Sequence, residues 1–427
     1  MLTLTWEFPP HVTGGLSMAS YGIVRALLGL GVEVDLVVPT PDDVYFPLRT
    51  EEDADSLPVR PLEFKKGKEQ AKEYVGREVI SKITPFVGAY FSGEVSTTET
   101  IEQRVFVPVE DLDPLSFVLR FLAEEAPLFA EVKRFAARGA KMADSLDFDL
   151  IHTHDWLTYP AAMLVRRLSG KPLVAHIHST EFDRAGGPGD DRIHNIEYMG
   201  TQLADRVIAV SSYTAKMVAD RYRVDQGKIR VAHNAFTLES TGKEKKRMFR
   251  EPTVVFVGRI TLQKGPDYFL EVARRVLKQE KKVRFVMAGK GDMEKQILHR
   301  AASLGLGTRF LFAGFLTREE LEPILSAADI FLMPSISEPF GIVALEAMSC
   351  GAVAIVAKQS GVAEAITNAY KVDFWDVERI VSIILELVRN PDKLREMSGK
   401  SIKEARKVQW IEAGTRILDV YRELVKA

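Results

Sequence analysis

Short apolar runs punctuate the chain, and most are followed by a stretch whose apolar residues recur every three or four positions. One series reads TLTW, VEVDLVVP, FDLIHTH, PLVAHIH, DRVIAVS and KIRVAHN; a second reads TVVFVGR, VRFVMAG, RFLFAGF, DIFLMPS and GAVAIVA. Runs of this length, rich in Val and Ile, predict parallel strands buried on both faces. In TLTW, Leu4 and Trp6 alternate with polar neighbours. Between the runs, Leu16, Ala19, Ile23, Leu27 and Leu30 share one helical face, as do Tyr268, Phe269, Val272 and Val276; both spacings predict amphipathic helices, over 16–30 and 267–279. Strands alternating with helices predict an α/β protein with two doubly wound sheets.

The pattern breaks at FTLESTGKEKKRMFREP, residues 236–252, where a charge cluster and a proline precede the next strand. This places one domain over 1–235, a linker over 236–252, a second domain over 253–408 and a helical tail over 409–427. Residues 41–120 fit the alternation poorly and read as a strand-rich elaboration of the first domain. A chain of 427 residues agrees with two cores, since single cores stop growing near ~250–300 residues.

Composition narrows the class without naming a function. Hydrophobic residues are 46% and charged residues 27% of the chain, ordinary for a soluble globular protein. A net charge of −2 supplies no global field for gathering nucleic acid. The lone Cys350 leaves no intrachain disulfide framework and suits a reducing compartment. MLTLTWEFPP shows no secretory leader pattern, and no apolar run approaches the ~18 residues that span a bilayer. The expected location is the cytoplasm. The cationic face Lys133, Arg134, Arg138 and Lys141 reads as a solvated helix face more readily than as a membrane-docking one.

The unusual residues fall at strand ends, where open α/β sheets bind ligands. Gly14 and Gly15 follow the first strand; His154 and Asp155 end LIHT, His178 ends LVAHI, and Asn234 ends IRVAH. Arg259 ends VVFVG, with Lys264 five residues on; Gly289-Lys290-Gly291, Gly314 and Glu338 end the next three. From both halves together they predict a lined cleft between two domains. Exposed N–H groups at a glycine-opened helix start can take a phosphate, and a basic pair at a cleft mouth can neutralise a departing diphosphate. His152/His154 and His176/His178 each have strand spacing, and Glu181 and Asp183 lie nearby in sequence, but no compact metal-ligand motif is present, so no metal is assigned. Asp53/Asp55 and Asp111/Asp113 make D-x-D spacings in acidic, loop-like sequence.

PSISEPFGIVALEAM carries two acidic residues, Glu338 and Glu346, in apolar surroundings. Glycosidases hold two carboxyls ~5–9.5 Å apart, whereas residues eight apart on one helix lie ~12 Å apart. Glu338 precedes the helix if Pro339 occupies its first turn. The spacing suits two contacts along an extended ligand, such as the hydroxyls at either end of a nucleotide-sugar.

EFPPHVTGGL, HTHDW, HIHS, VAHN, FVGRITLQKG, AGKGD, AGFL and PSISEPFGIVALEAMSCG stand in order from residue 7 to about 364. In these the chain resembles the retaining nucleotide-sugar glycosyltransferases of the GT-B fold, in the glycogen/starch synthase-like and sucrose synthase-like group of glycosyltransferase family 4. The resemblance implies two Rossmann-like domains facing a deep cleft, with the tail after Trp410 returning to the first domain. It implies a catalytic set of His178, Arg259, Lys264 and Glu338, with Arg259 and Lys264 on the donor diphosphate, Glu338 on the transferred sugar and His178 beside it. Gly14, Gly15, Asn234, Phe315, Leu316, Phe340, Gly341 and Glu346 would bind the donor. Of these, Glu346 would take the ribose hydroxyls, Phe315-Leu316 the base, and the Phe340-Gly341 amides the sugar. His154 and Asp155 would lie on the acceptor side. No cofactor or metal is implied, and the acceptor is deprotonated with help from the diphosphate itself.

Val12 stands where glycogen synthases with a K-x-G-G loop have lysine, HNAFT replaces H-N-G-[IV]-D at Ala235 and Thr237, and Ser360-Gly361-Val362-Ala363-Glu364 lacks one glycine of G-G-x-x-E. The first expectation is transfer of glucose from UDP- or ADP-glucose onto an α-glucan. The alternative is the same chemistry on a lipid, small-sugar or sugar-phosphate acceptor. An epimerase or a non-catalytic binding protein is a further alternative.

Overall fold

Buried Val, Ile and Leu side chains put most of the apolar runs into parallel strands, in two separate sheets. The computed structural model describes residues 1–9, 15–39, 44–55, 127–186, 188–236 and 248–425. The chain divides into two compact units: Met1–Ala209 with Met217–Arg230 and Gly414–Ala427, and Val210–Lys216 with Val231–Ala413.

The first unit carries seven strands: β1 (Leu2–Leu4), β2 (Val34–Val38), β3 (Val44–Leu48), β4 (Ile151–His154), β5 (Leu173–Ile177), β6 (Arg206–Ala209) and β7 (Ile229–Val231), in the order β3-β2-β1-β4-β5-β6-β7. β1 runs parallel to β2 and β4, with Leu2 opposite Asp35 and Ile151. β3 is antiparallel to β2. The first strand ends at Leu4, two residues short of the TLTW run; Trp6 packs edge-on against Phe135 instead, ring centroids 5.7 Å apart. Of the irregular 41–120 region, β3 and the short helix Glu51–Asp55 are described; residues 56–120, with Asp111 and Asp113, lie outside the described residues. Asp53 accepts the N–H groups of Arg49 and Thr50, which is a turn-forming role.

The second unit holds β8 (Thr253–Val257), β9 (Arg284–Ala288), β10 (Phe310–Gly314), β11 (Ile330–Met333), β12 (Val353–Ala357) and β13 (Tyr370–Val372), all parallel, in the order β10-β9-β8-β11-β12-β13. Val254, Val255, Ile330 and Phe331 are fully buried, as a strand covered on both faces requires. The short strand YKV, β13, was not among the sequence-predicted runs, because three residues with an exposed lysine give no apolar signal.

Helices begin and end where local chemistry dictates. The helix Pro266–Gln279 starts with proline after a left-handed Gly265 (φ 68°), and its apolar stripe Phe269, Val272, Ala273 and Val276 is fully buried. The helix Arg318–Ala327 opens on a capping box between Thr317 and Glu320. The helix after β11 spans Ile342–Ser349, so Pro339 lies outside it. The reason is tertiary: Val362 N–H donates to the Phe340 carbonyl, the Ser211 hydroxyl donates to the Pro339 carbonyl, and Gly341 takes φ 102°. The linker region 237–247 lies outside the described residues.

Each sheet has one place where the strand order reverses, between β1 and β4 in the first and between β8 and β11 in the second. Loops leaving such a pair diverge to opposite faces and leave a crevice at the carboxyl end. The second sheet's strand ends are also tightly laced by backbone. Gly289 N–H donates to the Gly314 carbonyl at 2.7 Å, and Ile260 N–H to the Lys290 carbonyl at 3.0 Å. A Cβ at Gly289 would stand 1.8 Å from the Gly258 carbonyl oxygen, and φ there is 142°. Gly289→Ala is therefore expected to destabilise the protein by about 2 kcal/mol or more. Gly305→Ala, where the space is open, should cost about 1 kcal/mol, from its positive φ alone. Chemical denaturation of the two variants checks the difference.

Candidate functional site

In the second unit, the loops leaving the reversal point are joined by charge. After β8 the chain makes a tight turn, Leu262–Lys264, and the Lys264 ammonium lies 2.6 Å from Glu338 Oε2 on the loop after β11. The Ser335 hydroxyl donates to the same oxygen at 3.3 Å. Glu338 is buried and Lys264 nearly so. Backbone fixes the two loops together: Ile336 N–H donates to the Gln263 carbonyl at 2.9 Å, and a Cβ at Gly265 would stand 2.1 Å from the Pro334 carbonyl oxygen. Arg259 is exposed and donates to the Gln263 side chain at 2.8 Å. Buried Gln263 thus holds Arg259 through its side chain and ties this turn to the loop after β11 through its carbonyl, a role its sequence position did not suggest.

Other expected donor residues lie on the segments that follow β10 and β11, and Asn234 on the segment after β7. Phe315 follows β10 and is 65% exposed, which is unusual for a phenylalanine, with Leu316 half-buried beside it. Phe340 is buried, and Gly341 precedes the helix Ile342–Ser349. Glu346 lies on that helix, partly exposed, 3.7 Å from Arg318. Asn234 is buried, and its Oδ1 has no hydrogen-bond partner among the described residues. Ala235 is buried with ordinary negative φ, so the HNAFT loop makes no conformational demand for the missing glycine. Glu364, a residue sequence reasoning placed in no role, accepts the N–H groups of Ser212 and Tyr213 at 2.7 Å each, and His233 Nε2 lies 3.1 Å away. Burial alone would raise its carboxyl, but these hydrogen bonds outweigh it and hold it below the usual range.

In the first unit, Gly15 opens the helix Gly15–Gly29 and is exposed; Gly14 and Val12 lie outside the described residues. His152 and His154 of β4 and His176 and His178 at β5 all project to one face and form two hydrogen-bonded pairs. His152 Nε2 lies 3.2 Å from His176 Nδ1, and His154 Nδ1 lies 2.9 Å from His178 Nε2. The Tyr421 hydroxyl, on the helix Trp410–Leu424, lies 2.6 Å from His152 Nδ1. His154 is fully buried and bonded to His178. The physical cause is the pleat, which sends His154 to the same covered face as His152, while the chain turns away at Asp155 with φ 60°.

Nitrogens of His152, His154 and His176 lie within 4.8 Å of one another. The rings of these three are within 12–35° of parallel, and the closest nitrogens already share a hydrogen bond. Lone pairs lying side by side do not converge on one point, as a tetrahedral metal requires. Burial instead keeps all four rings neutral: His152 and His178 are pushed down to about 3, and His154 and His176 well below the usual value.

Asp155 accepts His178 N–H at 2.7 Å and is buried; burial pushes its carboxyl up to about 7, against the pull of Arg184. Arg184 is paired with Glu181 and Glu197 and donates to the Ser179 carbonyl at 2.7 Å, locking the loop after β5. Glu181 and Asp183 are structural. Asp183 closes a capping box with Thr180, a pattern legible as T-x-x-D in the sequence.

Two predictions follow from the charges. Lys264→Met leaves the Glu338 carboxylate buried without its cation and should lower stability by roughly 3 kcal/mol. Lys264→Met combined with Glu338→Gln should recover most of that loss in a denaturation cycle. For pH, the histidines are depressed, so their contribution is full above about 6.5 and is lost as pH falls toward 3. Asp155 is raised, so its contribution is full below about 3.8 and is lost as pH rises through about 7. Asp155→Asn should therefore be more stable than the wild type at pH 7 and lose stability more steeply on acidification to pH 4. Thermal melts across that range would test the sign.

The comparisons with known proteins agree with this architecture. Residues 240–407 match the family model Glycosyl transferases group 1, and residues 102–240 match Glycosyltransferase Family 4. An uncharacterised glycosyltransferase of Methanocaldococcus jannaschii is 27% identical over 404 residues, covering 89% of this chain and 88% of that one. A D-inositol 3-phosphate glycosyltransferase of Mycobacterium leprae is 30% identical over 305 residues, 65% of this chain and 70% of that one. Among solved structures, sucrose-phosphate synthase of Thermosynechococcus elongatus aligns with a TM-score of 0.69 at 18% identity over 99% of this chain and 98% of its own. The catalytic domain of Arabidopsis thaliana starch synthase IV, bound to ADP and acarbose, aligns at 0.66 and 14% identity over 100% and 99%. Anabaena HepE in complex with UDP and glucose aligns at 0.60 and 19% identity over 70% and 84%. With matching models in sequence along the chain, and a relative at 30% identity aligned over most of its length, the chain belongs to the group 1, family 4 glycosyltransferases, retaining enzymes of the GT-B fold.

Proposed function

We propose that the protein transfers a hexosyl group from a UDP-sugar to a small phosphorylated polyol or sugar, with retention of anomeric configuration. The observation that carries the donor half is the Lys264–Glu338 pair at the reversal point of the second sheet. A cation and a carboxylate held there, with Arg259 beside them, offer one charge for a diphosphate and one acceptor for sugar hydroxyls. On donor binding, Lys264 exchanges Glu338 for the diphosphate and Glu338 turns to the transferred sugar. Arg259 adds the second cation, Glu346 takes the ribose hydroxyls, exposed Phe315 with Leu316 meets the base, and Asn234, Gly14, Gly15 and the Phe340-Gly341 backbone complete the donor contacts. In the first unit, His178 serves the sugar and Asp155 the acceptor.

Retention fits this chemistry without an enzyme nucleophile. Once Glu338 has turned to the sugar hydroxyls it is occupied there, so the departing diphosphate, neutralised by Arg259 and Lys264, is left to receive the acceptor proton. UDP as the donor base has support from HepE, solved with UDP and glucose. The acceptor class has support from the relation to a D-inositol 3-phosphate glycosyltransferase. The α-glucan acceptor expected from the sequence motifs has less: its structural parallel, starch synthase IV, shares the fold at 14% identity.

The test is an assay matrix of UDP-glucose, ADP-glucose and GDP-mannose against inositol 3-phosphate, hexose phosphates, glycogen, maltooligosaccharides and buffer. Product is expected with UDP-glucose and a phosphorylated acceptor, and it should persist in EDTA. Lys264→Ala should lower its rate about 100-fold or more. Glucan elongation with no product on any phosphorylated acceptor would move the assignment to the glucan reading, and donor consumed to an epimer without acceptor would overturn both.

A further inference from the structure

Glu338 keeps its cation only while Lys264 faces it. Once Lys264 turns to a diphosphate, the aim of the Glu338 carboxylate depends on the backbone beneath it. Part of that support comes from the segment after β12. Glu338 N–H donates to the Gln359 carbonyl at 3.1 Å, and Gly361 N–H donates to the Glu338 carbonyl at 3.0 Å.

The rest comes from far away in sequence. The segment Val210–Lys216 follows β6 in the chain but belongs to the second compact unit. It grips the residues that flank Glu338 before and after. The Tyr213 hydroxyl lies 3.0 Å from Ser337 Oγ, across 124 positions of sequence. The Ser211 hydroxyl donates to the Pro339 carbonyl at 2.7 Å. The segment is itself fixed: Ser211 Oγ accepts Thr214 N–H at 3.0 Å, and the Glu364 carboxylate accepts the Ser212 and Tyr213 N–H groups at the start of the helix Ser212–Tyr222.

We propose that Tyr213 is a positioning residue of the donor site: through Ser337 its hydroxyl holds the backbone that aims Glu338 at the transferred sugar. Tyr213 acts here through the place proposed above for Glu338, at that sugar. Ile336 N–H, one residue before Ser337, is pinned to the Gln263 carbonyl at 2.9 Å. A shift at Ser337 therefore cannot relax upstream and passes to Glu338. In the empty protein Lys264 and Ser335 also hold the carboxylate, so the Tyr213 hydroxyl matters most after Lys264 has left for the diphosphate. UDP carries the diphosphate without the sugar, so it makes no demand on the aim of Glu338.

Calorimetric titration of the full-length protein with UDP and with UDP-glucose tests this difference. Tyr213→Phe and Ser337→Ala should each weaken UDP-glucose binding about fivefold, while UDP affinity changes less than about twofold. Both remove one bond, so the double substitution should bind no more weakly than the single ones. Ser337→Thr, which keeps the hydroxyl, should bind UDP-glucose as the wild type does. Turnover should follow, with kcat falling about tenfold in Tyr213→Phe and the acceptor KM nearly unchanged. Equal losses for UDP and UDP-glucose, additive losses, or no loss would overturn the proposal. Transfer to glucan with none to phosphorylated acceptors would fail the proposed acceptor and leave these affinity ratios intact. If the wild type binds no UDP-sugar, the donor assignment fails instead, and chemical denaturation decides the grip: the double substitution should lower the midpoint no further than the larger single effect, and additive losses would overturn it.

Discussion

Lys264 and Glu338 hold together the two loops that parallel-sheet topology drives apart. β8 and β11 are neighbours whose following chain segments leave toward different parts of the sheet, and a crevice opens between such loops by construction. An apolar plug would close it. A partly buried lysine and a buried glutamate at 2.6 Å keep it polar, at the expense of desolvating a carboxylate that is tolerable only with its cation. The glycines around them follow from the same constraint: Gly265 and Gly289 lie where a neighbouring carbonyl leaves no room for a Cβ. The second unit is therefore built around an ion pair that keeps its crevice polar.

The first unit solves the corresponding problem without net charge. Four imidazoles are stacked at the ends of β4 and β5, and burial holds each of them neutral. The charge in this unit is placed one loop further on, where Arg184 is enclosed by Glu181 and Glu197 near Asp155. Burial weakens the guanidinium, and the surrounding carboxylates more than compensate, so it stays charged. Neutral rings that can donate or accept are suited to orienting hydroxyls, whereas fixed cations are suited to holding phosphates. The two sheets thus differ in chemistry although their strand orders follow the same plan.

How much of this was legible in sequence depends on whether the signal was local. Strands such as TVVFV and VAIVA are buried on both faces, so hydrophobicity alone marked them, and the glycine and charged residues after them marked the carboxyl ends. The Thr180–Asp183 capping box was also local, but Glu181 and Asp183 read only as neighbours of the histidines, with no metal assigned, and not as a helix start. Other features depended on distant partners. Pro339 did not begin a helix because Ser211 and Val362 claim the carbonyls around it. Tyr421 joins the histidine layer from 269 residues away, and no spacing rule reaches that far. His154 and His178 look equivalent in HTHDW and HIHST; only the packing shows that one is enclosed and the other lies at the edge.

The same distinction explains why reaction type was easier to read than acceptor. A diphosphate and a ribose are common to nucleotide-sugars, so the residues that the motif resemblance assigns to the donor, Arg259, Lys264, Glu338 and Glu346, stand in a dense and specific pattern. An acceptor is recognised by whatever hydroxyls and charges it happens to carry, and nothing obliges those contacts to cluster in sequence. The departures from glycogen synthase-like motifs bear on this point. Ala235 is accommodated with no strain in the loop where a glycine was expected, so its change need not alter the donor chemistry and is free to follow the acceptor. The phosphorylated acceptor proposed above is compatible with loops that differ from the glycogen synthase pattern while the donor motifs are kept.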